Sequence, residues 1–383
     1  MLKSRLTPNP GEERSLYRHD GRTDALEAIH TDMPATVRQS VVSWYVQTSV
    51  HRCFARVERL DRCARPCYPA RRHAARDPLP ATDRSLTVTK NVSTHAPIPR
   101  ILDRAGALLG NYDVLFCDVW GVVHNGVTAF EDACAALKRF RKRGGTVILV
   151  SNAPVPKHRV ETMLGSRNVP ASAWDDIVSS GAIALDHIAK RAFRKLYLIG
   201  PQDRDAAFFS ALEGRPAHID DAEALVCTGL TDDLRERPED YIPILKKAKA
   251  RGLPFVCANP DLLVDVGGTL LYCAGAIADL YAHMGGDVFW AGKPYLTAYE
   301  TAHAIAEGLR DGNVARTRCL VIGDAIRTDL KGAENFGCDA LFVASGIHRH
   351  EAMDGASLSP EKLALLFPAG TPTAIGAISG LRW

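Results

Sequence analysis

Short apolar runs alternate with stretches of helical periodicity over most of the chain after residue 98. Residues 114–119 and 146–150 are continuous apolar runs of strand length, and residues 131–143 between them carry apolar side chains at helical spacing. That helix begins with acidic residues, ends with basic residues and stops at Gly144, as the helix dipole and a glycine C-cap favour. Apolar strands joined by a helix predict a parallel sheet that is buried on both faces.

The same pattern returns near the end of the sequence after a long interruption. Residues 319–322 and 340–344 predict two more buried strands, and residues 328–336 predict the helix between them, which Gly337 stops. The predicted sheet is therefore built from two separated parts of the chain. The interruption is roughly a hundred residues long, enough for a small domain. Its apolar runs of strand length are 196–199, 224–228 and 254–258.

These patterns predict an α/β protein with a doubly wound, Rossmann-like parallel-sheet core and an inserted α/β domain. We assign residues 96–180 and 287–383 to the core, and residues 181–286 to the insert, which is placed to act as a lid. Residues 1–95 are a leader of different composition. Arg is much more frequent than Lys there, prolines interrupt the pattern, and the one apolar patch, at residues 41–46, is isolated.

The leader can bury little core, so we expect it to be disordered or weakly structured. Three explanations of it stay open: translation from a start site upstream of the true one, a regulatory or targeting tail, and a nucleic-acid-binding arm. A metal site in the leader is a weaker alternative because the spacing of the ligands is irregular. Its side chains would be His51, Cys53, Cys63, Cys67 and His73.

Composition narrows the class of protein. Of the 383 residues, 46% are hydrophobic and 24% are charged, which is ordinary for a soluble protein. No run of about 18 apolar residues predicts a membrane span, and the charged N-terminal region does not resemble a secretory signal, so we expect a cytoplasmic protein. The ten cysteines lack paired spacing and predict free thiols. A net charge of +3 predicts neither a nucleic-acid partner nor a membrane partner.

Polar side chains follow the predicted core strands at their C-terminal ends, where parallel sheets of this kind bind ligands. Asp118 follows the first strand, Ser151 and Asn152 follow the second, and Asp324 and Lys293 each follow a later apolar run. Each residue alone has a structural explanation as a helix cap, a turn residue or a solvated lysine. Together, these carboxylates, hydroxyl and ammonium groups predict one site, because each of them follows the C-terminal end of a predicted strand.

This set of groups suits phosphoryl transfer. The Asp118 carboxylate can attack phosphorus and form an aspartyl phosphate. Asp324 and Asp118 together can hold Mg²⁺, which would screen the repulsion between the nucleophile and an anionic substrate. Lys293 and the Ser151 hydroxyl can bind the remaining phosphoryl oxygens.

In order and spacing, these segments resemble the four motifs of the haloacid dehalogenase (HAD) superfamily. The insert lies between the second and third motifs, which resembles a class II cap. The motifs are Asp118-Val119-Trp120-Gly121-Val122, Ser151, Lys293-Pro294, and Gly323-Asp324 with Thr328-Asp329. Two further segments are similar to those of the NagD-like class IIA phosphatases: Ala258-Asn259-Pro260-Asp261 and Ala274-Gly275-Ala276.

The resemblance implies a role for each matched residue. Asp118 would be the nucleophile, and the Asp118 carboxylate, the Trp120 carbonyl and Asp324 would bind Mg²⁺. Asp329 would orient Lys293 or support the metal, although a helix N-cap is its structural alternative. The residues expected to bind the phosphate or the rest of the substrate are Ser151, Asn152, Asn259, Asp261 and Lys293. The substrate would be a small phosphorylated metabolite such as a sugar, nucleotide or cofactor phosphate, and a homodimer through the cap is expected.

One departure from the family pattern is at Trp120, where phosphatases of the superfamily carry an aspartate that acts as general acid and base. An indole cannot transfer that proton, so His124 is a candidate proton donor, with a hydrogen-bonded loop histidine as its alternative. Two other functions stay open: a protein that binds Mg²⁺ and a phosphorylated ligand without hydrolysis, and hydrolysis at carbon, against which Asp324 argues. Further substrate contacts or turn residues in the insert are Asp203, Arg204, Asp205 and Asp261.

Overall fold

The computed structural model describes residues 98–266 and 269–383, and the structural observations below concern those residues. Two parallel sheets contain most of the strands, one with six strands and one with five, and two antiparallel hairpins accompany them. The predicted α/β class with parallel sheets is confirmed. The leader, residues 1–95, lies outside the described residues, and so do its cysteines and histidines.

Strands and helices are numbered in chain order. The strands are β1 (Val114–Cys117), β2 (Thr146–Ser151), β3 (Asp176–Ser179), β4 (Lys195–Ile199), β5 (Arg215–Pro216), β6 (Ala224–Cys227), β7 (Phe255–Cys257), β8 (Leu263–Val266), β9 (Thr269–Tyr272), β10 (Val288–Trp290), β11 (Cys319–Gly323), β12 (Asp339–Val343), β13 (Met353–Asp354), β14 (Ser357–Leu358) and β15 (Gly376–Ile378). The helices are α1 (Gly106–Leu109), α2 (Glu131–Lys142), α3 (Lys157–Ser166), α4 (Ser180–Arg191), α5 (Ala206–Ser210), α6 (Ile242–Ala250), α7 (Ala274–His283), α8 (Leu296–Leu309), α9 (Lys331–Phe336), α10 (Arg349–Ala352) and α11 (Pro360–Leu366).

The six-stranded sheet has the strand order β15-β12-β11-β1-β2-β3. Val114 of β1 pairs with Thr146 of β2 on one side and with Cys319 of β11 on the other, both in parallel. The sheet thus joins the early and late parts of the chain. Alternate residues of β1 enter two different apolar clusters, one on each face of the sheet, which explains why its sequence is apolar without interruption.

The second sheet has the order β10-β7-β6-β4-β5, and all its neighbours are parallel. Strands β4 to β7 fall within the predicted insert. Strand β10 does not, because the sequence boundary at residue 287 assigned it to the core, whereas Val288 pairs with Phe255 of β7. A strand of three residues is too short for its sequence to indicate the sheet to which it belongs.

Of the two helices predicted from the sequence, one is observed as expected and one differs. Helix α2 starts with two acidic residues and ends with basic ones, and Gly144 beyond it has a φ of +86°. The helix predicted at 328–336 is instead a π turn, Ile326–Leu330, followed by α9, and Gly337 ends it in the left-handed region. The cysteines of the described residues are free, as expected. None of the described helices combines the length and apolar character needed to cross a membrane.

Candidate active site

Three buried aspartates come together at the C-terminal edge of the six-stranded sheet. Strands β1 and β11 are parallel neighbours in which Cys117 pairs with Ile322, so Asp118 and Asp324 leave the sheet side by side. Asp329 follows in the π turn. Carboxylate oxygens of Asp118, Asp324 and Asp329 lie within 4.8 Å of one another.

Lys293 places its ammonium among these carboxylates. Its Nζ atom donates to Asp118 Oδ1 at 2.5 Å and to Asp329 Oδ1 at 2.7 Å, and the residue is only 3% exposed. Burial opposes the charge on Lys293, but the two carboxylates outweigh it and hold its pKa well above the ordinary value. The lysine is therefore a fixed cation beside the carboxylate of Asp118.

The carboxylates outnumber the ammonium, and their protonation reflects this. Burial, together with Asp118 and Asp329, raises the pKa of Asp324 well above its ordinary value. Burial also raises the pKa of Asp329 to about 6, although Lys293 counteracts the effect. The backbone amide of Ile347 donates to Asp324 Oδ2 at 2.7 Å. A cluster of hard oxygen donors with surplus negative charge fits a divalent cation such as Mg²⁺.

Glycines make room for Asp324. Gly121 has a φ of +81°, and a Cβ atom on it would lie 2.1 Å from Asp324 Oδ2. A Cβ atom on Gly346 would lie 1.6 Å from the same oxygen. The loops after β1 and β12 can therefore approach the carboxylate only without side chains at these two positions.

Asn152 connects the second motif to Lys293 and to the insert. Its Oδ1 accepts from the Lys293 backbone N–H at 2.8 Å, and its Nδ2 donates to Lys293 O at 3.1 Å and to Asp261 Oδ1 at 2.9 Å. The Asn152 carboxamide is thus engaged with protein atoms and positions Lys293. Ser151 precedes it at the end of β2, where its Oγ accepts from the Ala153 N–H at 3.2 Å.

Asn259 and Asp261 follow β7 of the second sheet. The Asn259 Oδ1 accepts from the Asp261 N–H at 3.1 Å, which fixes the turn. Burial raises the pKa of Asp261, and Lys293 counteracts it. Both residues reach the site from the insert, as the sequence predicted, and Asp261 meets the core through Asn152.

Trp120 joins the core to the hairpin β8–β9. Its indole N–H donates to the backbone oxygen of Asp265 in β8 at 3.1 Å. The ring packs edge-on against His124 with centroids 5.3 Å apart, and a Cβ atom on Gly126 would lie 2.5 Å from it. The one polar atom of this side chain is therefore used to hold the hairpin.

His124 is placed differently from the other predicted site residues. It is 2% exposed and does not line the cavity described below, and its Nδ1 accepts from the Gly126 N–H at 2.9 Å. Burial, helped by Arg167, lowers its pKa to about 4, so the imidazole is neutral at pH 7. This geometry favours a structural role for His124, as a hydrogen-bonded loop residue, over a role as proton donor. The proton-donor role remains a prediction.

The site opens into a cavity of about 740 Å³ between the two sheets. Asp329 contacts Lys293 but does not line the cavity. The predicted site residues that do line it are Asp118, Trp120, Ser151, Asn152, Asn259, Asp261, Lys293 and Asp324. Arg204 and Asp205 also line the cavity, whereas Asp203 is exposed outside it.

The lining residues that were not predicted from the sequence include Thr228 and Asp233, both in the insert. Thr228 follows β6 directly, so applying the strand-end rule to the insert would have found it. Asp233 lies several residues beyond that strand, and no local pattern indicates it.

Comparison with known proteins identifies the family. A haloacid dehalogenase-like hydrolase family model matches residues 115–212, and a second HAD-like hydrolase model matches residues 290–365. The crystal structure of a haloacid dehalogenase-like hydrolase from Brucella suis 1330 is 40% identical, with a TM-score of 0.64, and the match covers 73% of this chain and 100% of that one.

More distant relatives agree with this match. The 5′-nucleotidase YutF of Bacillus subtilis is 26% identical over 63% of this chain and 91% of its own length. The ribonucleotide monophosphatase NagD of Escherichia coli K12 is 23% identical over 64% of this chain and 93% of its own. A possible sugar phosphatase from Cytophaga hutchinsonii shares the fold, with a TM-score of 0.56 at 19% identity. The chain belongs to the haloacid dehalogenase-like hydrolase family, in its NagD-like branch.

Proposed function

We propose that this protein is a Mg²⁺-dependent phosphatase that hydrolyses a small phosphorylated metabolite through an aspartyl phosphate on Asp118. The observation that carries the proposal is the Lys293 ammonium, held between Asp118 and Asp329 and next to Asp324. That arrangement places a nucleophile, an anion-binding group and metal ligands at one point.

The donor set supports the choice of metal. Asp118 and Asp324 would supply carboxylate oxygens and Trp120 its carbonyl, with Asp329 in support. When bound, Mg²⁺ would neutralise charge on the carboxylates and on the phosphoryl group. The raised pKa of Asp324 is a sign of the charge that such a cation relieves.

The reaction is a double displacement at phosphorus. An Asp118 oxygen attacks the phosphorus atom, and the bond between phosphorus and the leaving oxygen breaks with its electron pair on that oxygen. Lys293 and the Ser151 hydroxyl hold the equatorial oxygens as charge develops on them. Water then attacks the phosphorus of the aspartyl phosphate, which releases phosphate and restores the Asp118 carboxylate.

The leaving oxygen needs a proton when it is a poor leaving group. General acid catalysis contributes about a hundredfold to ten-thousandfold, and the Trp120 indole cannot supply it. We therefore expect rapid turnover of aryl phosphates, whose leaving group is stable as an anion, and slower turnover of alkyl phosphates.

The size of the cavity supports a small substrate, because a volume of about 740 Å³ is in the range of metabolite sites. The relatives YutF, a 5′-nucleotidase, and NagD, a ribonucleotide monophosphatase, support phosphate monoesters as the substrate class. A sugar, nucleotide or cofactor phosphate would fit these limits.

The test is turnover of p-nitrophenyl phosphate and of a panel of phosphorylated metabolites by the full chain, with Mg²⁺ and with EDTA. We expect metal-dependent hydrolysis that Asp118→Asn lowers by more than about a thousandfold. Asp186→Asn is the matched control, because Asp186 is exposed on α4 and should keep full activity. Metal-independent turnover, or full activity of Asp118→Asn, would refute the proposal.

Trp120 also supports a second candidate, a protein that binds Mg²⁺ and a phosphorylated ligand without hydrolysis. Its indole N–H holds the Asp265 carbonyl, so the residue serves structure where a phosphatase would have its acid. This candidate would be favoured if no ester were hydrolysed while calorimetry showed Mg²⁺-dependent binding of a phosphate ester.

A further inference from the structure

A short segment of the insert is fixed to two loops of the core. Strands β1 and β2 are parallel neighbours, so the loops that carry Trp120 and Asn152 leave the six-stranded sheet side by side. Asn152 Nδ2 donates to Asp261 Oδ1 at 2.9 Å, and the Trp120 indole donates to the Asp265 backbone oxygen at 3.1 Å. The insert segment from Asp261 to Asp265 is therefore attached to the core at both ends.

The Asp261 carboxyl group at the start of this segment keeps one oxygen for a ligand. Within the described part of the chain, the carboxyl group accepts one hydrogen bond, from Asn152 to Oδ1. Its Oδ2 atom makes no hydrogen bond to the described residues and is not enclosed by them, and the half-buried side chain lines the cavity that contains Asp118. Because Asn152 Nδ2 can only donate, Oδ1 must accept, so a proton on this carboxyl group belongs to Oδ2.

The surroundings of Asp261 favour the protonated carboxyl group. Burial raises its pKa, and the charge of Asp329 acts in the same direction. Lys293, the Asn152 amide and Arg327 oppose this rise in pKa without cancelling it. A phosphate dianion bound beside Lys293 would offset the charge of the lysine and raise the pKa of Asp261 further. The group that faces the substrate is therefore suited to donate a proton.

The other carboxyl groups that line the cavity have different partners or roles. Asp118 is the proposed nucleophile and Asp324 a proposed metal ligand. Asp265 lies farther along the same insert segment, in β8, and is compared with Asp261 in the experiment below. The carboxylates that bind the Arg204 guanidinium are those of Asp205 and Asp233.

We propose that Asp261 is the general acid and base of this phosphatase, in place of the aspartate that is absent at position 120. In an in-line displacement the leaving oxygen lies opposite the attacking atom. Asp118 reaches the cavity from the six-stranded sheet, and Asp261 follows β7 of the second sheet, so the leaving oxygen faces the insert. This inference rests on the proposed phosphatase function and supplies the proton that Trp120 cannot.

Proton transfer accompanies both displacements. As an Asp118 oxygen attacks phosphorus, the bond to the leaving oxygen breaks with its electron pair on that oxygen, which takes the proton from Asp261 Oδ2. The Asp261 carboxylate then takes a proton from the water that attacks the aspartyl phosphate. The bond between phosphorus and Asp118 breaks with its electron pair on the Asp118 oxygen, so phosphate leaves and both side chains return to their starting forms.

The position of Asp261 sets how well it can serve. It belongs to the insert, so its distance from the leaving oxygen depends on how the insert sits against the core, whereas an aspartate at position 120 would lie in the loop of the nucleophile. We therefore expect it to support turnover of alkyl esters at a lower rate than an aspartate at position 120 would.

The test compares Asp261→Asn with the wild-type full chain on glycerol 1-phosphate and p-nitrophenyl phosphate, with Mg²⁺. The substituted amide can still accept from Asn152 Nδ2 through its oxygen, so the contact between the two sheets is kept. We expect kcat/KM to fall about a hundredfold for glycerol 1-phosphate and less than about threefold for p-nitrophenyl phosphate, whose leaving group needs no proton. Equal losses for the two esters, or no loss for either, would overturn the proposal.

The second displacement gives an independent readout that a structural role would not change. With p-nitrophenyl phosphate, Asp261→Asn should release about one equivalent of p-nitrophenolate in a burst, because hydrolysis of the aspartyl phosphate lacks its base. Linear release of p-nitrophenolate at the wild-type rate would contradict the role of Asp261 and overturn the proposal.

Two further variants complete the design. Asp220→Asn is the matched control, because Asp220 is an acidic residue of the insert whose side chain is 69% exposed and does not line the cavity, so both esters should keep their rates. A loss confined to glycerol 1-phosphate in Asp265→Asn, and absent from Asp261→Asn, would assign the acid to Asp265 and overturn the proposal.

The outcomes separate this inference from the phosphatase function. Hydrolysis that depends on Asp118 but is unchanged by Asp261→Asn would overturn the role of Asp261 and leave the phosphatase function standing. A chain that hydrolysed neither ester would overturn both.

Discussion

At the residue scale, the identity of the side chain at position 120 determines how the protein treats its leaving group. Trp120 keeps the hairpin β8–β9 against the core through the Asp265 carbonyl, but it offers no exchangeable carboxyl proton. The observed geometry favours a structural role for His124, because burial lowers the pKa of the imidazole to about 4 and the side chain does not line the cavity.

Substitution of Trp120 should therefore change turnover according to leaving group. We expect Trp120→Asp to hydrolyse glycerol 1-phosphate up to about a hundredfold faster than Trp120→Asn, while the two variants should differ little with p-nitrophenyl phosphate. The pair is matched in size and in the loss of the indole, so the comparison isolates the acid. Equal rates for the two variants with glycerol 1-phosphate would show that protonation of the leaving oxygen does not limit this enzyme.

At the element scale, the site depends on two strands that are distant in sequence and adjacent in space. Strands β1 and β11 place Asp118 and Asp324 side by side, and the loop after β1 must turn at Gly121 without a Cβ atom. The positive φ at position 121 and the nearness of Asp324 Oδ2 both favour glycine there.

Gly121→Ala should therefore weaken metal binding. The new methyl group would push Asp324 away, so we expect the Mg²⁺ concentration for half-maximal activity to rise more than about tenfold. Gly144→Ala is the control: Gly144 also has a positive φ, +86°, but no atom lies within 4 Å of its Cβ position. An unchanged Mg²⁺ requirement in Gly121→Ala would argue against Asp324 as a ligand.

At the scale of the whole molecule, surplus buried negative charge should make stability depend on the metal. Mg²⁺ at a hundredfold excess over its Kd would stabilise the folded state by about 2.7 kcal/mol, provided that the unfolded chain does not bind it. We expect a rise in Tm of several degrees with Mg²⁺ relative to EDTA, measured by calorimetry. The rise in Tm should disappear in the Asp324→Asn variant. A wild-type Tm that is the same with Mg²⁺ and with EDTA would contradict the proposed metal site.

Much of the site was predictable because strand ends are local features of the sequence. Asp118, Ser151 and Asp324 each follow an apolar run, and the parallel arrangement of those runs brings such ends to one edge of a sheet. The homodimer through the insert remains a prediction. The place of His124 could not be predicted, since its burial depends on the packing of the loop around Trp120 and Gly126.

The sequence by itself determined the central strands of both sheets, the parallel class of the sheets and the candidate nucleophile, because apolar periodicity and strand-end polarity are properties of consecutive residues. The strands that it predicted are β1, β2, β4, β6, β7, β11 and β12. The tertiary structure alone decided which groups meet. Asp118 and Lys293 are 175 residues apart in the chain, and Trp120 and Asp265 are 145 apart. It also decided that β10 joins the second sheet and that Thr228 and Asp233 face the catalytic cavity. Such contacts depend on how the sheets pack against each other, and no local pattern of side chains encodes that packing.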